Sequence, residues 1–104
     1  MAERVASPQG TLYSMSKAAL VGLTKGLARD LGPKKITVNL VQPGPVNTDM
    51  NPETSEHAEF QRAMMAIPEY ARPEHIADMV AYLANPASGY TTGGIFTIDG
   101  GTTS

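Results

Sequence analysis

The chain has 104 residues, of which 41% are hydrophobic and 17% charged, with a formal net charge of −2 and no cysteine. This composition is typical of a globular protein, and the length limits the chain to one domain with a modest core. The charge argues against a nucleic-acid or anionic-membrane partner, and the lack of cysteine excludes a disulfide framework, a thiolate nucleophile and a cysteine metal site.

A long helix is predicted after Pro8-Gln9-Gly10, ending at Leu31 because Gly32-Pro33 is a strong stop signal. Its leucines form one apolar stripe: Leu20, Leu23, Leu27 and Leu31. A second stripe consists of the small residues Ala18, Gly22 and Gly26. Glycine inside a helix costs up to about 1 kcal/mol relative to alanine, so this second stripe indicates close approach of another backbone. That backbone belongs either to the core of the same chain or to a second subunit.

A strand is predicted over residues 36–42, where a mostly apolar, β-branched run is ended by Pro43-Gly44. Such a run is typical of a strand that is buried on both faces, as in a parallel sheet. Residues 45–52 have loop chemistry. Residues 54–67 are weakly helical, with Phe60, Met64 and Ile67 on one side.

Another helix is predicted from Arg72-Pro73-Glu74 to Asn85-Pro86, since proline and an acid favour a first helical turn. Its apolar stripe consists of Ile76, Met79, Val80 and Leu83. Gly93-Gly94 precedes the last predicted strand, residues 95–98, and Asp99-Gly100-Gly101 ends it. This strand, helix and strand form a crossover unit that we expect to be right-handed.

Tyr13 and Lys17 are four residues apart, so they share one face of the first helix. A lysine ammonium beside a phenol favours the phenolate, and the pair can therefore transfer protons. The same spacing also occurs as a solvated surface pair on ordinary helices.

The motifs together resemble a known family. Tyr13-Ser-Met-Ser-Lys17 with its leucine-rich continuation, the strand ending in Gln42-Pro43-Gly44, and the C-terminal Thr97-Ile-Asp-Gly-Gly101 are similar to the C-terminal half of the short-chain dehydrogenases/reductases. The 3-oxoacyl-carrier-protein reductases are the members that the last segment resembles. The resemblance implies an α/β fold in which residues 1–104 are a single partial domain, the C-terminal part of a Rossmann-like doubly wound parallel sheet.

The resemblance also implies an activity and a cofactor, NAD or NADP. Tyr13 would give a proton to a substrate carbonyl while a hydride arrives from the nicotinamide, and Lys17 would bind the nicotinamide ribose. Residues of the loop after the strand would hold the carboxamide and phosphates: Pro43, Gly44, Val46 and Thr48. The implied substrate is a small carbonyl compound or alcohol, and the expected location is the cytoplasm.

The family's glycine-rich pyrophosphate turn is missing from the sequence, and Ser7 is too close to Tyr13 to be the family's catalytic serine. We therefore expect a C-terminal fragment of a reductase, with a bare sheet edge and an exposed apolar helix face. The alternative is a catalytically inactive remnant that acts only as an oligomerisation module through the long helix and the last strand.

Several remaining side chains have ordinary structural interpretations. Asn39 lies within the first strand and needs hydrogen-bond partners there, and Asp99 is expected in a turn. His57 and His75 have no second ligand at metal spacing, so we predict surface or helix-end roles and no metal site. The methionines of the loop region suit either a substrate pocket or a core: Met50, Met64 and Met65.

Overall fold

The computed structural model describes residues 8–48, 52–54 and 58–102. Two short 3-10 turns, Gly32–Lys34 and Pro86–Ser88, accompany the helices and strands. The helices are α1 (Pro8–Leu31), α2 (Ala58–Ala63) and α3 (Pro73–Ala84), and the strands are β1 (Leu40–Pro43) and β2 (Ile95–Ile98). The protein has an α/β fold, and its residues form two compact units. Described residues 8–40 and 86–95 belong to the first unit, and those within 41–85 and 96–102 to the second.

The long first helix and its end confirm the prediction from the sequence, but the helix begins at Pro8 rather than after Gly10. It ends at Leu31, where Gly32-Pro33 enters a 3-10 turn and Lys35 adopts a left-handed conformation with φ 61°. The Lys35 N–H donates to the Gly32 carbonyl at 2.8 Å, so the carbonyl group directly after α1 is hydrogen-bonded within the chain.

The leucine stripe of α1 does not face the interior of this chain. Leu20, Leu23 and Leu27 are 47%, 57% and 37% exposed. The buried residues of α1 are instead Thr24 and Ala28. The Thr24 hydroxyl donates to the Leu20 carbonyl at 2.7 Å, which satisfies it inside the helix. The expected exposed apolar face of the helix is therefore present.

The loop at Gly93 passes close to the buried face of α1. A Cβ added at Gly93 would lie 3.6 Å from the Ala28 Cβ, and Lys25 Nζ donates to the Gly93 carbonyl at 3.0 Å. This contact belongs to Ala28, not to the predicted small-residue stripe. A Cβ at Gly22 or Gly26 would meet nothing within 4 Å. The expectation that Gly22 and Gly26 pack against a backbone of the same chain is therefore wrong for the described residues. Their contact with a second subunit stays a prediction.

The strands β1 and β2 form one parallel two-stranded sheet. The Leu40 N–H donates to the Gly94 carbonyl at 2.9 Å, and the Gly44 N–H donates to the Ile98 carbonyl at 2.8 Å. The last strand has the predicted bounds. The first does not, because regular pairing begins only at Leu40 and extends through Pro43. Burial on both faces is also wrong: β1 has one neighbouring strand among the described residues, and its residues are half-buried or exposed.

The region between the strands contains less helix than its pattern indicates. Among the described residues of the predicted 54–67 segment, which are 54 and 58–67, Ala58–Ala63 is helical. Phe60, Met64 and Ile67, expected on one apolar side, are 69%, 50% and 60% exposed. The buried cluster here consists of Ala58, Met65 and Tyr70. The chain turns after Ala63, so the helical spacing that would align those three side chains is lost.

The third helix confirms its predicted start and end at Pro73 and Ala84. Three of its four stripe residues, Ile76, Met79 and Leu83, are half-buried, whereas Val80 is 49% exposed. At the N-terminus the Arg72 N–H donates to His75 Nδ1, and the His75 N–H donates to the Arg72 carbonyl, both at 2.9 Å. His75 therefore has the predicted helix-end role.

Candidate active site

Tyr13 and Lys17 meet on one face of α1. Lys17 Nζ lies 5.1 Å from the centroid of the Tyr13 ring. Tyr13 is 57% exposed, and Lys17 is half-buried. Such a cation over an aromatic ring is worth about 0.5–1 kcal/mol at an exposed position. The helix therefore brings the ammonium and the phenol together, and the phenol is accessible to a ligand.

This pair can support proton transfer. The phenolic oxygen both donates and accepts a proton, and the ammonium offers three donors and no acceptor. The chemistry needs only an accessible hydroxyl and a nearby cation, and both are present in the first unit.

Gly44 begins the loop after β1 and contacts the end of β2. A Cβ added at Gly44 would lie 2.7 Å from Asp99 Cβ and 2.8 Å from Asp99 Cα. No side chain fits at that distance without movement of the backbone. The requirement for glycine therefore has a cause within the chain.

Val46 is held between two main-chain hydrogen bonds to a segment far along the sequence. The Ala71 N–H donates to the Pro45 carbonyl at 3.1 Å, and the Asn47 N–H donates to the Ala71 carbonyl at 2.9 Å. This is a parallel bridge between Val46 and Ala71. In such a bridge the middle residue directs its own N–H and C=O to the opposite side. The Val46 peptide groups thus point away from Ala71, and within the described part of the chain they make no hydrogen bond.

Thr48 follows at the exposed end of this segment. The preceding residue, Asn47, was not predicted as part of the site, yet its side chain bonds to Glu53: Nδ2 donates to Glu53 Oε1 at 3.1 Å, and the Glu53 N–H donates to Oδ1 at 2.9 Å. Asparagine in a proline- and glycine-rich loop is an ordinary turn residue. The only available signal was therefore too general to identify it.

The predicted residues form two groups. Tyr13 and Lys17 lie together in the first unit, and the residues of one short segment lie in the second: Pro43, Gly44, Val46 and Thr48. The roles inferred for them in catalysis and cofactor binding remain predictions.

Two other predicted polar residues have structural partners. Asn39 Nδ2 donates to the Thr91 carbonyl at 2.9 Å, and its Oδ1 accepts from the Gly94 N–H at 3.0 Å. Asp99 Oδ1 accepts from the Gly101 N–H at 2.9 Å. These contacts confirm a structural role for Asn39 and a turn at Asp99.

Met65 lines a cavity of about 200 Å³ in the second unit. Other lining residues are Pro45, Ile67, Tyr70, His75 and Asp99. Met65 also belongs to the buried cluster, whereas Met64 is half exposed. Ser7, Met50 and His57 lie outside the described residues.

In the described ranges, no three histidine, aspartate or glutamate side chains are close enough together to hold a metal ion. Nor does any helix there have both the length and the apolarity to cross a membrane.

Comparison with known proteins identifies the family. A family model described as enoyl-(acyl carrier protein) reductase matches residues 1–103. The chain is 57% identical to a solved short-chain dehydrogenase/reductase mutant from Serratia marcescens, with a TM-score of 0.89 and coverage of 99% of this chain and 42% of that one. The chain belongs to the short-chain dehydrogenase/reductase family.

Further similar proteins include a structure with a nicotinamide cofactor. A short-chain dehydrogenase from Burkholderia cenocepacia, solved with NADP, is 50% identical with a TM-score of 0.84, over 90% of this chain and 38% of that one. The FabG 3-oxoacyl-[acyl-carrier-protein] reductase of Thermotoga maritima is 38% identical over 91% of this chain and 39% of its own length. A cyclic-di-GMP-binding biofilm dispersal mediator from Escherichia coli is 49% identical over 85% of this chain and 37% of its own. The chain thus spans about two fifths of the length of these relatives.

Proposed function

We propose that this chain supplies the proton-transfer pair and part of the cofactor site of an NAD(P)-dependent oxidoreductase that interconverts carbonyl compounds and alcohols. The observation that carries the proposal is the juxtaposition of Lys17 Nζ and the Tyr13 ring, 5.1 Å apart on an accessible helix face. Membership of a dehydrogenase/reductase family supports the same chemistry.

In the proposed reaction Tyr13 carries the proton. A bound nicotinamide would supply or accept the hydride. During reduction the Tyr13 hydroxyl donates its proton to the carbonyl oxygen and becomes a phenolate, and during oxidation it takes the proton back. Lys17 stabilises that phenolate and donates to hydroxyls of the cofactor ribose.

The loop after β1 fits a nicotinamide carboxamide. The carboxamide has both donors and an acceptor, and Val46 presents an N–H and a C=O away from its Ala71 partner. Thr48 contributes a hydroxyl to a cofactor phosphate, and Pro43 and Gly44 set the direction in which the chain leaves the strand. A loop at the carboxyl end of a parallel strand is where open α/β sheets bind ligands.

The proposed cofactor is either NAD or NADP. The proposed substrate is a small carbonyl compound or alcohol. The NADP-bound relative supports a nicotinamide cofactor. The FabG relative supports a 3-oxoacyl thioester as one substrate to test. The proposal also places the protein in the cytoplasm, which cell fractionation with a tagged chain can test.

Calorimetric titration with NADPH and NADH tests the proposal directly. We expect saturable binding by the folded chain, and binding weakened by roughly tenfold in Lys17→Ala, because a charged hydrogen bond is worth about 1.5–3 kcal/mol. Lys34→Ala is a matched control, since Lys34 is an exposed lysine in the turn after α1. Equal affinities of wild type and Lys17→Ala would contradict the role of Lys17, and no binding by folded wild type would contradict the cofactor site.

The exposed face of α1 favours assembly as a second function, whether or not the chain is catalytic. Leu12, Met15 and Leu23 are 66%, 63% and 57% exposed on this helix, and large apolar patches mark interaction surfaces. We propose that copies of the chain associate through α1 and the last strand. Sedimentation should show a homo-oligomer, and Leu23→Gln should lower the association constant by roughly tenfold. Val80→Gln on α3 is the control, and a monomeric wild type would exclude this assembly.

A further inference from the structure

Hydrogen bonds join Asn47, Glu53 and Arg62 in a chain, and these three residues are called the clasp below. Asn47 bonds to both the carboxylate and the backbone N–H of Glu53 at 3.1 and 2.9 Å. The Arg62 guanidinium nitrogen Nη1 donates to the Glu53 carbonyl at 2.8 Å. The clasp thereby ties the segment beside Thr48 to helix α2.

The clasp closes into a ring through Tyr70. The Arg62 guanidinium carbon lies 5.9 Å from the centroid of the Tyr70 ring. Tyr70 is 5% exposed, and its hydroxyl donates to Oε1 of Gln61, which precedes Arg62 on α2. Its neighbour Ala71 makes the main-chain bonds on either side of Val46. One continuous series of contacts therefore starts and ends at the Val46-Asn47 segment.

The two kinds of contact restrain different parts of that segment. The bonds to Ala71 hold the backbone from Pro45 to Asn47. The clasp holds the Asn47 side chain. Thr48 is the next residue, so the main-chain bonds to Ala71 and the clasp together restrain the backbone that leads into it. Ordering a residue before a ligand arrives removes part of the entropy cost of binding.

We propose that Asn47 and Glu53 are positioning residues that preorganise Val46 and Thr48 for the nicotinamide cofactor. The proposal rests on the cofactor site proposed above. Neither residue needs to touch the cofactor, because the clasp acts through the backbone of the Val46-Asn47-Thr48 segment. Its effect is therefore on cofactor affinity, without a requirement for any change in the stability of the fold.

A series of variants separates the clasp from the charge of Glu53. Asn47→Ala removes both of its side-chain bonds, whereas Glu53→Gln removes the charge and keeps an amide oxygen to accept from Asn47 Nδ2. We expect Asn47→Ala to weaken NADPH binding by roughly three- to tenfold, the range for one or two exposed hydrogen bonds. Glu53→Gln should remain within about twofold of wild type on the same grounds. Glu59→Ala is a control for removal of an acid, since Glu59 is exposed on the same helix.

A rescue experiment tests whether the bond itself matters. Asn47→Asp places a carboxylate against the Glu53 carboxylate and should weaken binding at least as much as Asn47→Ala. Adding Glu53→Gln to that variant restores the bond with donor and acceptor exchanged and keeps the wild-type net charge. The double variant should recover most of the lost affinity, and the coupling is measured as a double-mutant cycle.

NADPH affinity is measured by calorimetry beside the thermal unfolding midpoint of each chain. Weaker binding in Asn47→Ala with an unchanged midpoint, and rescue in the double variant, would support the proposal. An Asn47→Ala affinity within twofold of a wild type that binds would overturn this proposal alone. If Asn47→Ala loses affinity together with a lower unfolding midpoint, and the double variant does not restore binding, the clasp has only a structural role. That result would also overturn the proposal. Absence of NADPH binding by folded wild type would overturn the proposed cofactor site and this inference with it.

Discussion

The two groups of candidate site residues differ in what holds them in place. Tyr13 and Lys17 meet because they are one helical turn apart, and their side chains contact each other as cation and ring. The loop after β1 is held by residues distant in sequence, with Ala71 bonded to both sides of Val46 and Asp99 against Gly44. The first arrangement is local and the second depends on tertiary structure. Substitution of Tyr13 should therefore change the chemistry without changing the fold, whereas substitution of Gly44 should lower both stability and cofactor affinity.

The largest expected effect is that of Tyr13→Phe on turnover. Loss of the phenolic proton should lower kcat of the enzyme that contains this sequence by roughly 10²–10⁴-fold. The unfolding midpoint should not change, because the hydroxyl makes no hydrogen bond within the described residues and the ring remains. The rate is measured by oxidation of the reduced nicotinamide.

Tyr90→Phe is the matched control, since Tyr90 is a fully exposed tyrosine in the same unit. Retention of wild-type kcat by Tyr13→Phe would show that the proton comes from another group. The Tyr13 and Lys17 pair would then have no catalytic role, although the contact between the two side chains would still be present in the structure.

Gly44→Ala should have the next largest effect, on the stability of the loop. The added methyl would lie 2.7 Å from the Asp99 Cβ, so the backbone must move. Overpacking of this kind costs roughly 1–3 kcal/mol of unfolding free energy. Urea denaturation measures the loss, and calorimetry with NADPH should show weaker binding by the same variant. An unchanged denaturation midpoint would show that the loop is not held against Asp99.

What could be predicted from the sequence follows the same division. The C-terminal end of α1 and both ends of α3 are predictable because glycine, proline and an acidic residue mark them locally, and the last strand because Gly93-Gly94 and Asp99-Gly100 bracket it. The start of α1 at Pro8 lies before the predicted one. The Tyr13 and Lys17 pair needed only helical spacing. Each of these features depends on residues within a turn or two of one another.

The parts that were wrong depend on contacts between distant residues. The contact between α1 and the loop at Gly93 is made by Ala28, which no periodicity along the helix reveals. The short length of α2 and the buried cluster of Met65 and Tyr70 follow from a turn after Ala63. The partnership of Asn47 with Glu53 joins two common loop residues six positions apart, and nothing in either residue type announces it.

The smallest expected effect, and the one that sharpens the role of α1, is that of Gly22→Ala. An added methyl would meet nothing within 4 Å, and alanine is favoured over glycine in a helix by about 0.5–1 kcal/mol. In dilute solution, where the chain is monomeric, urea denaturation should therefore show a gain of this size. If α1 is a subunit contact, the same methyl separates two closely packed helices, and sedimentation at high concentration should show weaker association. Thr11→Ala, at an exposed position in the first turns of α1, also raises helix propensity but removes side-chain volume, so it should not weaken association. A loss of stability in the dilute Gly22→Ala chain would mean that this face packs within one chain, whereas a gain in stability together with weaker association would locate a subunit contact at the small-residue stripe.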